Sequence, residues 1–289
     1  MRDLIEEGKM AYRIRNHRLG EGQSNVPYVE SPNVGGALNP QFLVIHYTAS
    51  GPGSDIAKYF AKPSAKVSAH LVIDRKGNVT QCVPFNVVGW HAGKSVLTDT
   101  AGVKHVGLNS NSIGIEIENW GPLRKTGAGW VSWTGAVVDA ATVIEARHKY
   151  GTPDGGWEVF TEAQVEATLQ AAIAICSEYG IDEIVGHDDI APGRKSDPGP
   201  AWKMDSFRAK VLGRADNAMP TFVIRSPTGL NIRSGPGIEY ALVKPNPLAD
   251  GTQVLIHEAN GNWRLVSVLD PNGQPDFTGW VHGGFLSSN

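Results

Sequence analysis

Three residues with metal-binding side chains stand where apolar segments of this chain end. His46 follows the apolar run at residues 42–45. His187 and Asp197 lie in the segment 186–200. Two imidazoles and one carboxylate form the three-ligand set of a catalytic zinc site, whose fourth position stays open for water or substrate. The set therefore predicts a metal-dependent hydrolase.

The residues alone leave a second interpretation open. A histidine that follows a strand is more often a hydrogen-bonded structural residue than a ligand, and the spacing of the three residues is not diagnostic. Segment 186–200 also contains Lys195 and is rich in proline and glycine. We therefore predict a loop there rather than a helix or strand, held mainly by what its side chains bind.

Apolar patterning predicts the elements that position these residues. Residues 42–47 begin with the apolar run 42–45 and are predicted to form a buried strand. Residues 112–118 alternate, so that the isoleucines face one side of a strand and the two glutamates the other. Further strands are predicted at 67–73, 79–83 and 184–186, and a short helix at 55–61.

Two longer amphipathic helices are predicted downstream. The first spans residues 134–150, with one face formed by Val137, Ala141, Ile144 and His148. The second carries a stripe formed by Val165, Leu169, Ala172 and Cys176. Thr161 and Gln164 stand at capping-box spacing at its start, and Gly180 is placed to end it. Strands mixed with helices in this order predict an α/β layer structure.

The texture of the chain predicts four segments. Residues 1–40 begin with a short predicted helix and become rich in Gly, Pro and Asn, so we expect a largely irregular arm. Residues 41–213 hold the predicted catalytic domain, and residues 214–220 a linker. Residues 221–289 contain short β-rich runs between turn residues, which predicts a separate small all-β barrel.

Composition and charge argue against several classes of protein. Of the 289 residues 41% are apolar and 19% are charged, as in ordinary globular proteins. The net charge of -3 gives no electrostatic reason to bind nucleic acid or membrane. The chain begins without the hydrophobic segment of a secretory signal, so we expect synthesis in the cytoplasm. We also expect a monomer, with Cys82 and Cys176 as buried reduced thiols.

Five motifs in sequence order resemble a known family. They are FLVIH at 42–46, SAH at 68–70, GWHAG at 89–93, SIGIE at 112–116, and the segment 187–200. Together they resemble the zinc-dependent N-acetylmuramoyl-L-alanine amidases, which share a fold with peptidoglycan-recognition proteins. The resemblance implies a mixed central β-sheet flanked by helices, with zinc in a groove at one edge. It also implies bacterial peptidoglycan as substrate, cut between N-acetylmuramic acid and L-alanine.

Position by position, the resemblance implies a role for each matching residue. It assigns the metal ligands as His46, His187 and Asp197. Glu116 matches the family's catalytic glutamate, which would deprotonate the attacking water and pass the proton to the leaving amine. Lys195 matches a lysine whose ammonium would stabilise the oxyanion of the tetrahedral intermediate.

Other residues keep alternative interpretations. The resemblance makes His91 and Trp90 substrate-binding residues, although Trp90 could also fill the core. Glu118 is the alternative acid–base residue, and it better fits a solvated strand carboxylate. His70 is predicted to be structural or to support a ligand, and Arg194 to be exposed or structural.

The C-terminal segment carries a second resemblance. The motif LNIRSGPG at 230–237, Trp263, and GWVH at 279–282 resemble the bacterial SH3-like domain found beside cell-wall hydrolases. The implied role is to hold the enzyme on polymeric wall, which raises its effective concentration there. The alternative is a packing domain without a ligand.

These observations predict a lytic zinc amidase that acts on the cell wall, such as a phage or prophage endolysin. It would reach the wall by a route other than a cleaved signal. One alternative is a non-catalytic protein that binds peptidoglycan. The other is an amidase that recycles soluble muropeptides in the cytoplasm.

Overall fold

The computed structural model describes residues 12–100, 102–151, 154–213, 221–270 and 275–288. The chain divides into two compact units, Met1–Gly213 and Arg214–Asn289. Within the described ranges, no helix has both the length and the apolar character needed to cross a membrane.

The first unit combines many short strands with a few helices. Its strands in the described residues are β1 (Tyr12–Arg15), β2 (Arg18–Glu21), β3 (Ser24–Asn25), β4 (Val34–Ala37), β5 (Phe42–Tyr47), β6 (Leu71–Ile73), β7 (Val79–Gln81), β8 (Val87–Gly89), β9 (Val96–Thr98), β10 (Lys104–Val106), β11 (Ser112–Ile117), β12 (Pro122–Thr126), β13 (Gly129–Val131), β14 (Val137–Val138), β15 (Val143–Arg147), β16 (Asp154–Glu158) and β17 (Glu183–Gly186). Its α-helices are α1 (Ile56–Phe60), α2 (Glu162–Tyr179), α3 (His187–Ile190) and α4 (Met204–Val211). Single 3-10 turns occur at Pro63–Ala65, Leu108–Ser110 and Ala140–Thr142.

A five-stranded sheet with the order β17-β5-β11-β6-β7 forms the centre of this unit. Its first four strands run parallel, and β7 pairs with β6 in the antiparallel sense. The mixed sheet flanked by helices agrees with the predicted architecture. Because parallel strands end at the same edge of a sheet, the residues at the carboxyl ends of β5, β11 and β17 come together.

The helix α2 packs on one face of this sheet. Its start has the predicted capping box, in which Thr161 Oγ1 accepts from the Gln164 amide at 3.1 Å and the Gln164 side chain accepts from the Thr161 amide at 3.0 Å. It ends at Gly180, which has a left-handed φ of 65°. The predicted helix is therefore confirmed. The core between α2 and the central sheet contains Ala171, Ala172, Ile175, Leu43, Ile45, Ile113, Ile115 and Ile117.

The opposite face of the sheet has its own smaller core. Phe42 and Val44 pack there against Ala92. Since side chains alternate along a strand, His46 belongs to this face of β5, and Glu116 is its register partner on β11. The predicted separation of the isoleucines from Glu116 is thus confirmed.

Smaller predictions in this unit are also confirmed in part. The short helix expected at 55–61 is α1. The strands expected at 67–73 and 79–83 are present but shorter, as β6 and β7. Cys82 and Cys176 are both buried and free.

The irregular arm predicted at residues 1–40 is wrong for the part that can be described. β1, β2 and β3 form an antiparallel sheet, and Tyr12 and Leu19 are buried in the main core. The side chain of Gln81 ties this sheet down, since it accepts from the Leu19 amide at 2.9 Å. Arginine, asparagine and glycine around these residues obscured a short alternating pattern. The helix expected at the start lies outside the described residues.

The helix predicted at residues 134–150 is also wrong. This segment contains β14 and β15, within an antiparallel sheet with the order β14-β13-β12-β16-β15. The apolar spacing matched a helix, but Val137, Val138, Val143 and Ile144 are β-branched and favour strands. Their strand partners lie outside the segment, because β15 pairs with β16 and β14 with β13. The sheet of β12–β16 is called the side sheet below.

The segment 186–200 was predicted to be a loop, but only part of it is one. Its first residues form the single turn α3, whose start is stabilised by the Asp189 side chain accepting from the Gly186 amide at 2.8 Å. The rest of the segment, from Ala191 to Pro200, contains no helix or strand. The acidic pair after His187 favours a helix start, which the count of proline and glycine concealed.

The second unit is built from antiparallel strands. They are β18 (Thr221–Ile224), β19 (Gln253–Asn260), β20 (Trp263–Leu269), β21 (Pro275–His282) and β22 (Leu286–Ser288), in the order β21-β20-β19-β18-β22, with a 3-10 turn at Gly283–Phe285. Their core contains Ile224, Leu230, Ile232, Leu248, Val254, Val266, Val268 and Val281. The predicted β-rich character is confirmed, and the likeness to an SH3-like domain remains a prediction. The linker predicted at 214–220 lies outside the described residues.

Candidate metal centre

Three buried side chains converge at the carboxyl edge of the central sheet. His46 is the fifth residue of β5. His187 begins α3 directly after β17, the strand beside β5. Asp197 lies in the loop that follows α3. Each of the three has no more than 6% of its surface exposed.

Their nearest polar atoms form an equilateral triangle. His46 Nδ1 lies 2.9 Å from His187 Nδ1. Each of these nitrogens lies 2.9 Å from Asp197 Oδ2. Tetrahedral zinc, with bonds of about 2.0–2.1 Å, holds its ligand atoms about 3.3 Å apart. The three atoms therefore need to separate by only a few tenths of an ångström to hold the ion.

The outer nitrogens of both imidazoles are hydrogen-bonded within the protein. His187 Nε2 donates to the Ala92 carbonyl at 3.1 Å. His46 Nε2 lies 3.0 Å from His91 Nδ1, and His91 Nε2 lies 3.3 Å from the Ser112 carbonyl oxygen. Because a carbonyl only accepts, neutral His91 has its proton on Nε2, and its Nδ1 accepts from His46. Both His46 and His187 thus present an Nδ1 lone pair to the centre.

The protonation of these groups calls for a cation between them. Burial and the charge of His187 lower the pKa of His46 to about 4, so its ring is neutral at neutral pH. Burial raises the pKa of Asp197, but contacts with the two imidazoles outweigh it and hold this pKa well below its usual range. Positive charge at this point therefore favours the ionised carboxylate, and a divalent cation bound to the two Nδ1 lone pairs would supply that charge. Two nitrogens and one oxygen suit zinc.

The structure thus brings together all three residues that the resemblance assigned as ligands. Their donor atoms lie within bonding reach of a single ion. Their role as zinc ligands remains a prediction.

Glu116 lies beside this centre on the neighbouring strand. It is the register partner of His46. Its Oε2 is buried and has no hydrogen-bond partner among the described residues. Burial and the nearby Asp197 raise the pKa of Glu116 well above its usual value, against the opposing effect of Lys195. A carboxyl group with a free oxygen and a raised pKa is a stronger base than an ordinary carboxylate and is suited to accept a proton.

Glu118, the alternative carboxylate, is placed differently. The sequence had suggested a solvated carboxylate, but Glu118 is only 4% exposed. Its Oε2 accepts from the Arg75 amide at 3.3 Å, and its Oε1 lies 3.6 Å from Arg75 Nε. Glu118 therefore belongs to an ion pair away from the three ligands.

Lys195 and Arg194 have different surroundings although they are adjacent. Lys195 is exposed, and its charge acts on the pKa of both Glu116 and His46. Arg194 donates to the carbonyl oxygens of Ala92 at 3.0 Å and Lys94 at 2.6 Å. Arg194 thus holds the loop that carries Asp197 against the loop that carries Ala92 and Lys94, which agrees with its predicted structural role.

His91 lies behind His46 rather than in the open. It is 9% exposed, and its ring packs on Gly114, where a Cβ would lie 2.5 Å from the ring. Both of its ring nitrogens are used within the protein. The geometry therefore favours a positioning role toward His46. Trp90 is half-buried, and substrate contacts of either residue remain a prediction.

His70 is fully buried and structural. Its Nδ1 accepts from the Gly114 amide and its Nε2 donates to the Val87 carbonyl, both at 3.0 Å. Burial lowers its pKa to about 4. This neutral ring fixes the backbone on which His91 rests, in agreement with the structural interpretation.

Sequence reasoning missed Asn109. Its Oδ1 accepts from the amides of His91 at 3.0 Å and Ala92 at 2.7 Å. It thereby holds the backbone whose Ala92 carbonyl orients His187. No motif of the sequence pointed to this residue.

A second missed group supports Asp197. The Asp188 amide donates to the Asp197 carbonyl at 2.8 Å. The Asp188 side chain accepts from His148 Nε2 at 3.0 Å and pairs with Lys149 Nζ at 2.9 Å. His148 and Lys149 directly follow β15, so these contacts connect the side sheet to the segment that carries His187 and Asp197. The acidic residue beside His187 was the available signal.

Comparisons with known proteins identify relatives of this chain. The model of the Amidase_2 family, described as N-acetylmuramoyl-L-alanine amidase, matches residues 36–200. The N-acetylmuramoyl-L-alanine amidase AmiD of Escherichia coli is 32% identical over 59% of this chain and 53% of its own length, so the chain spans about half of that relative. The 1,6-anhydro-N-acetylmuramyl-L-alanine amidase AmpD of Escherichia coli is 31% identical over 60% of this chain and 82% of its own length.

A solved structure is similar over much of the chain. It is the complex of AmiD from E. coli with the substrate anhydro-N-acetylmuramic acid-L-Ala-D-gamma-Glu-L-Lys. It has 26% sequence identity and a TM-score of 0.44, and the match covers 73% of this chain and 68% of that chain. The family match extends over more than half of the sequence and contains all three converging residues. The chain therefore belongs to the Amidase_2 family of N-acetylmuramoyl-L-alanine amidases.

Proposed function

We propose that this chain is a zinc-dependent amidase that hydrolyses the bond between N-acetylmuramic acid and L-alanine in peptidoglycan. The observation that carries the proposal is the convergence of two Nδ1 atoms and one carboxylate oxygen, 2.9 Å apart. Beside them lies Glu116, whose Oε2 has no hydrogen-bond partner among the described residues. Membership of the amidase family supports the proposed identity of the bond that is cut.

His46, His187 and Asp197 would hold the ion. When bound, zinc supplies a Lewis acid that polarises the scissile carbonyl and makes water more acidic. Glu116 accepts the proton of the attacking water on its free Oε2 and then donates it to the leaving amine of L-alanine. Its raised pKa suits the first step, because a carboxylate whose protonated form is favoured is a stronger base than an ordinary one.

Lys195 stabilises the negative charge that develops on the carbonyl oxygen. Its ammonium lies on the loop of Asp197, and it influences the pKa of Glu116 across the centre. A cation in this position offsets charge that exists only after water has added. Lys195 thus acts on the transition state more than on the bound substrate.

The test is mass spectrometry of the products released from purified peptidoglycan. We expect peptides that begin with L-alanine and glycan strands with free lactyl groups. Glu116→Gln should reduce the rate by roughly a hundredfold to ten-thousandfold and retain zinc. New reducing sugars, or cuts within the stem peptide, would contradict the proposal. A Glu116→Gln variant with wild-type rate would remove the assigned mechanism.

A second candidate is an amidase for soluble anhydromuramyl peptides. The supporting observation is that AmpD, a relative named for that substrate, is matched over 82% of its length. The two candidates share the chemistry and differ in substrate size. A kcat/KM at least about tenfold higher on anhydromuramyl peptides than on intact sacculi would favour the recycling role. The reverse preference would favour a lytic role.

We further propose that the second unit holds the enzyme on the cell wall, as in an endolysin that acts outside the cytoplasm. The support is its strand-rich architecture and its resemblance to SH3-like domains. Sedimentation with sacculi in chelator tests this, by comparing the full chain with a chain ending at Gly213. Equal sedimentation of the two would contradict a wall-binding role and leave the amidase proposal intact.

A further inference from the structure

An exposed tryptophan lies close to the candidate metal centre. Trp133 is 74% exposed, and no other tryptophan of the described residues is classed as exposed. It stands in the turn between β13 and β14, in the side sheet. An indole this exposed presents a large, rigid apolar face to solvent.

The turn that carries Trp133 is well ordered by hydrogen bonds. The Gly135 amide donates to the Ser132 carbonyl, and the Ser132 amide to the Ala136 carbonyl, both at 2.9 Å. Gly135 has a φ of 86°, which closes the turn at little steric cost. The ring is therefore presented by a defined turn rather than by a long loop.

The ring is anchored beside the metal-binding strand. Trp133 Nε1 donates to the Ala49 carbonyl at 2.8 Å. Ala49 follows the ligand His46 by three positions, which span at most about 11 Å. Trp133 is thus attached to the segment that leads directly out of the strand carrying His46.

The chemistry of this surface suits a carbohydrate. The single polar atom of the indole is already paired with Ala49, so what remains exposed is an apolar π-face. The C–H groups on one face of a pyranose ring are apolar and complement the negative face of an aromatic ring. The half-buried hydroxyls of Thr48 and Ser50, 2.7 Å apart, adjoin Ala49 and can pair with sugar hydroxyls.

We propose that Trp133 is a stacking platform for a sugar of the glycan strand, next to the muramic acid residue whose amide is cut. This proposal rests on the amidase function proposed above and adds a glycan-binding position to it. It makes the enzyme sensitive to the number of sugars that its substrate carries.

The test compares two substrates and three variants. The substrates are a muramyl peptide with one sugar and the same peptide carrying the adjoining N-acetylglucosamine. Trp133→Ala should raise KM for the two-sugar substrate roughly fivefold to tenfold and leave the one-sugar substrate within about twofold. Trp133→Phe, which keeps an aromatic face but lacks the N–H, should retain most of the affinity. Val137→Ala is the matched control, since Val137 is 66% exposed in the same hairpin.

Three results would overturn the proposal. They are an unchanged KM in Trp133→Ala, an equal loss on both substrates, and a loss in Trp133→Phe as large as that in Trp133→Ala. The last result would assign the effect to the hydrogen bond with Ala49.

A binding measurement separates this proposal from the amidase function. Chitotriose lacks the lactyl group and therefore the amide to L-alanine that the enzyme would cut, and its binding to chelator-treated protein can be followed by titration calorimetry. Binding by the wild type that Trp133→Ala weakens at least about fivefold supports the platform, even if product analysis identifies a different scissile bond. Absence of chitotriose binding by the wild type contradicts the platform and leaves the amidase proposal standing.

Discussion

The three converging residues proposed as ligands and the two proposed to act on substrate differ in how their polar atoms are paired. The outer nitrogens of His46 and His187 are both hydrogen-bonded, and the Asp197 carbonyl accepts from a neighbouring amide. By contrast, Glu116 keeps a buried oxygen without a partner among the described residues, and Lys195 is exposed.

This difference follows from what each group has to do. A ligand must present one tautomer in one orientation, so every atom that does not face the ion is restrained. A residue that transfers a proton or stabilises new charge must keep its polar atoms free for the substrate. Changes around the ligands should therefore alter metal binding, whereas changes at Glu116 and Lys195 should alter the rate.

The largest effect is expected from removing a ligand. His187→Ala should lose both zinc and activity, at least about a thousandfold, because two ligands cannot retain the ion in competition with buffer. Zinc content and turnover measured on the same sample check this. His17→Ala is the control, since the His17 ring pairs with Tyr179 and is not part of the centre. One equivalent of zinc retained in His187→Ala would break the assignment of the centre.

Removing the ammonium should reduce the rate and spare the metal. Lys195→Met is expected to lower kcat roughly a hundredfold to a thousandfold, as loss of one oxyanion-stabilising group does, with zinc content unchanged. Lys94→Met, at an exposed lysine of the adjoining loop, controls for general loss of positive charge. A variant that loses zinc instead would place Lys195 among the groups that support the ligands.

Much of this frame could be predicted from the sequence because local rules decide it. The apolar runs of β5 and β11 and the capping box of α2 are set by residues within a few positions of one another. Two of the candidate ligands, His46 and His187, were found because each stands at the end of an apolar run, and Asp197 lies in the loop that follows His187. Family motifs then supplied their roles.

The remaining features depend on partners far away in the sequence. The helix expected at 134–150 is replaced by strands because β15 pairs with β16, a segment outside the pattern that was considered. The place of His91 behind His46 depends on the open space over Gly114, on a different strand. The bond from His148 to Asp188 joins the side sheet to the metal-binding loop, and neither residue carries a motif that points to the other.

A change behind a ligand should weaken metal binding without abolishing it. His91→Phe keeps a ring on Gly114 but removes the acceptor for His46, so we expect zinc affinity to fall roughly tenfold to a hundredfold. Competition with a chromogenic chelator measures this. His91→Gln offers an acceptor and should recover part of the loss. If affinity is unchanged and KM rises instead, His91 contacts substrate, as the family resemblance implies.

The smallest effect concerns the cost of keeping Glu116 unpaired in the metal-free protein. Its pKa in the folded state is raised above the ordinary value of 4.5, chiefly by burial. Below that value Glu116 is protonated in both the folded and the unfolded chain, so its burial does not lower the free energy of unfolding through ionisation. As the pH rises the unfolded chain ionises first, so stability is lost until the pH passes the folded pKa. Glu116→Gln cannot ionise, and the Tm of its chelated form should exceed that of the wild type at pH 7 and match it near pH 4. Glu145→Gln, at a surface pair with Lys125, should show no such dependence on pH. A Tm difference that stays constant across this range would mean that the carboxyl of Glu116 is already satisfied, and the contrast between ligands and reacting groups would lose its physical basis.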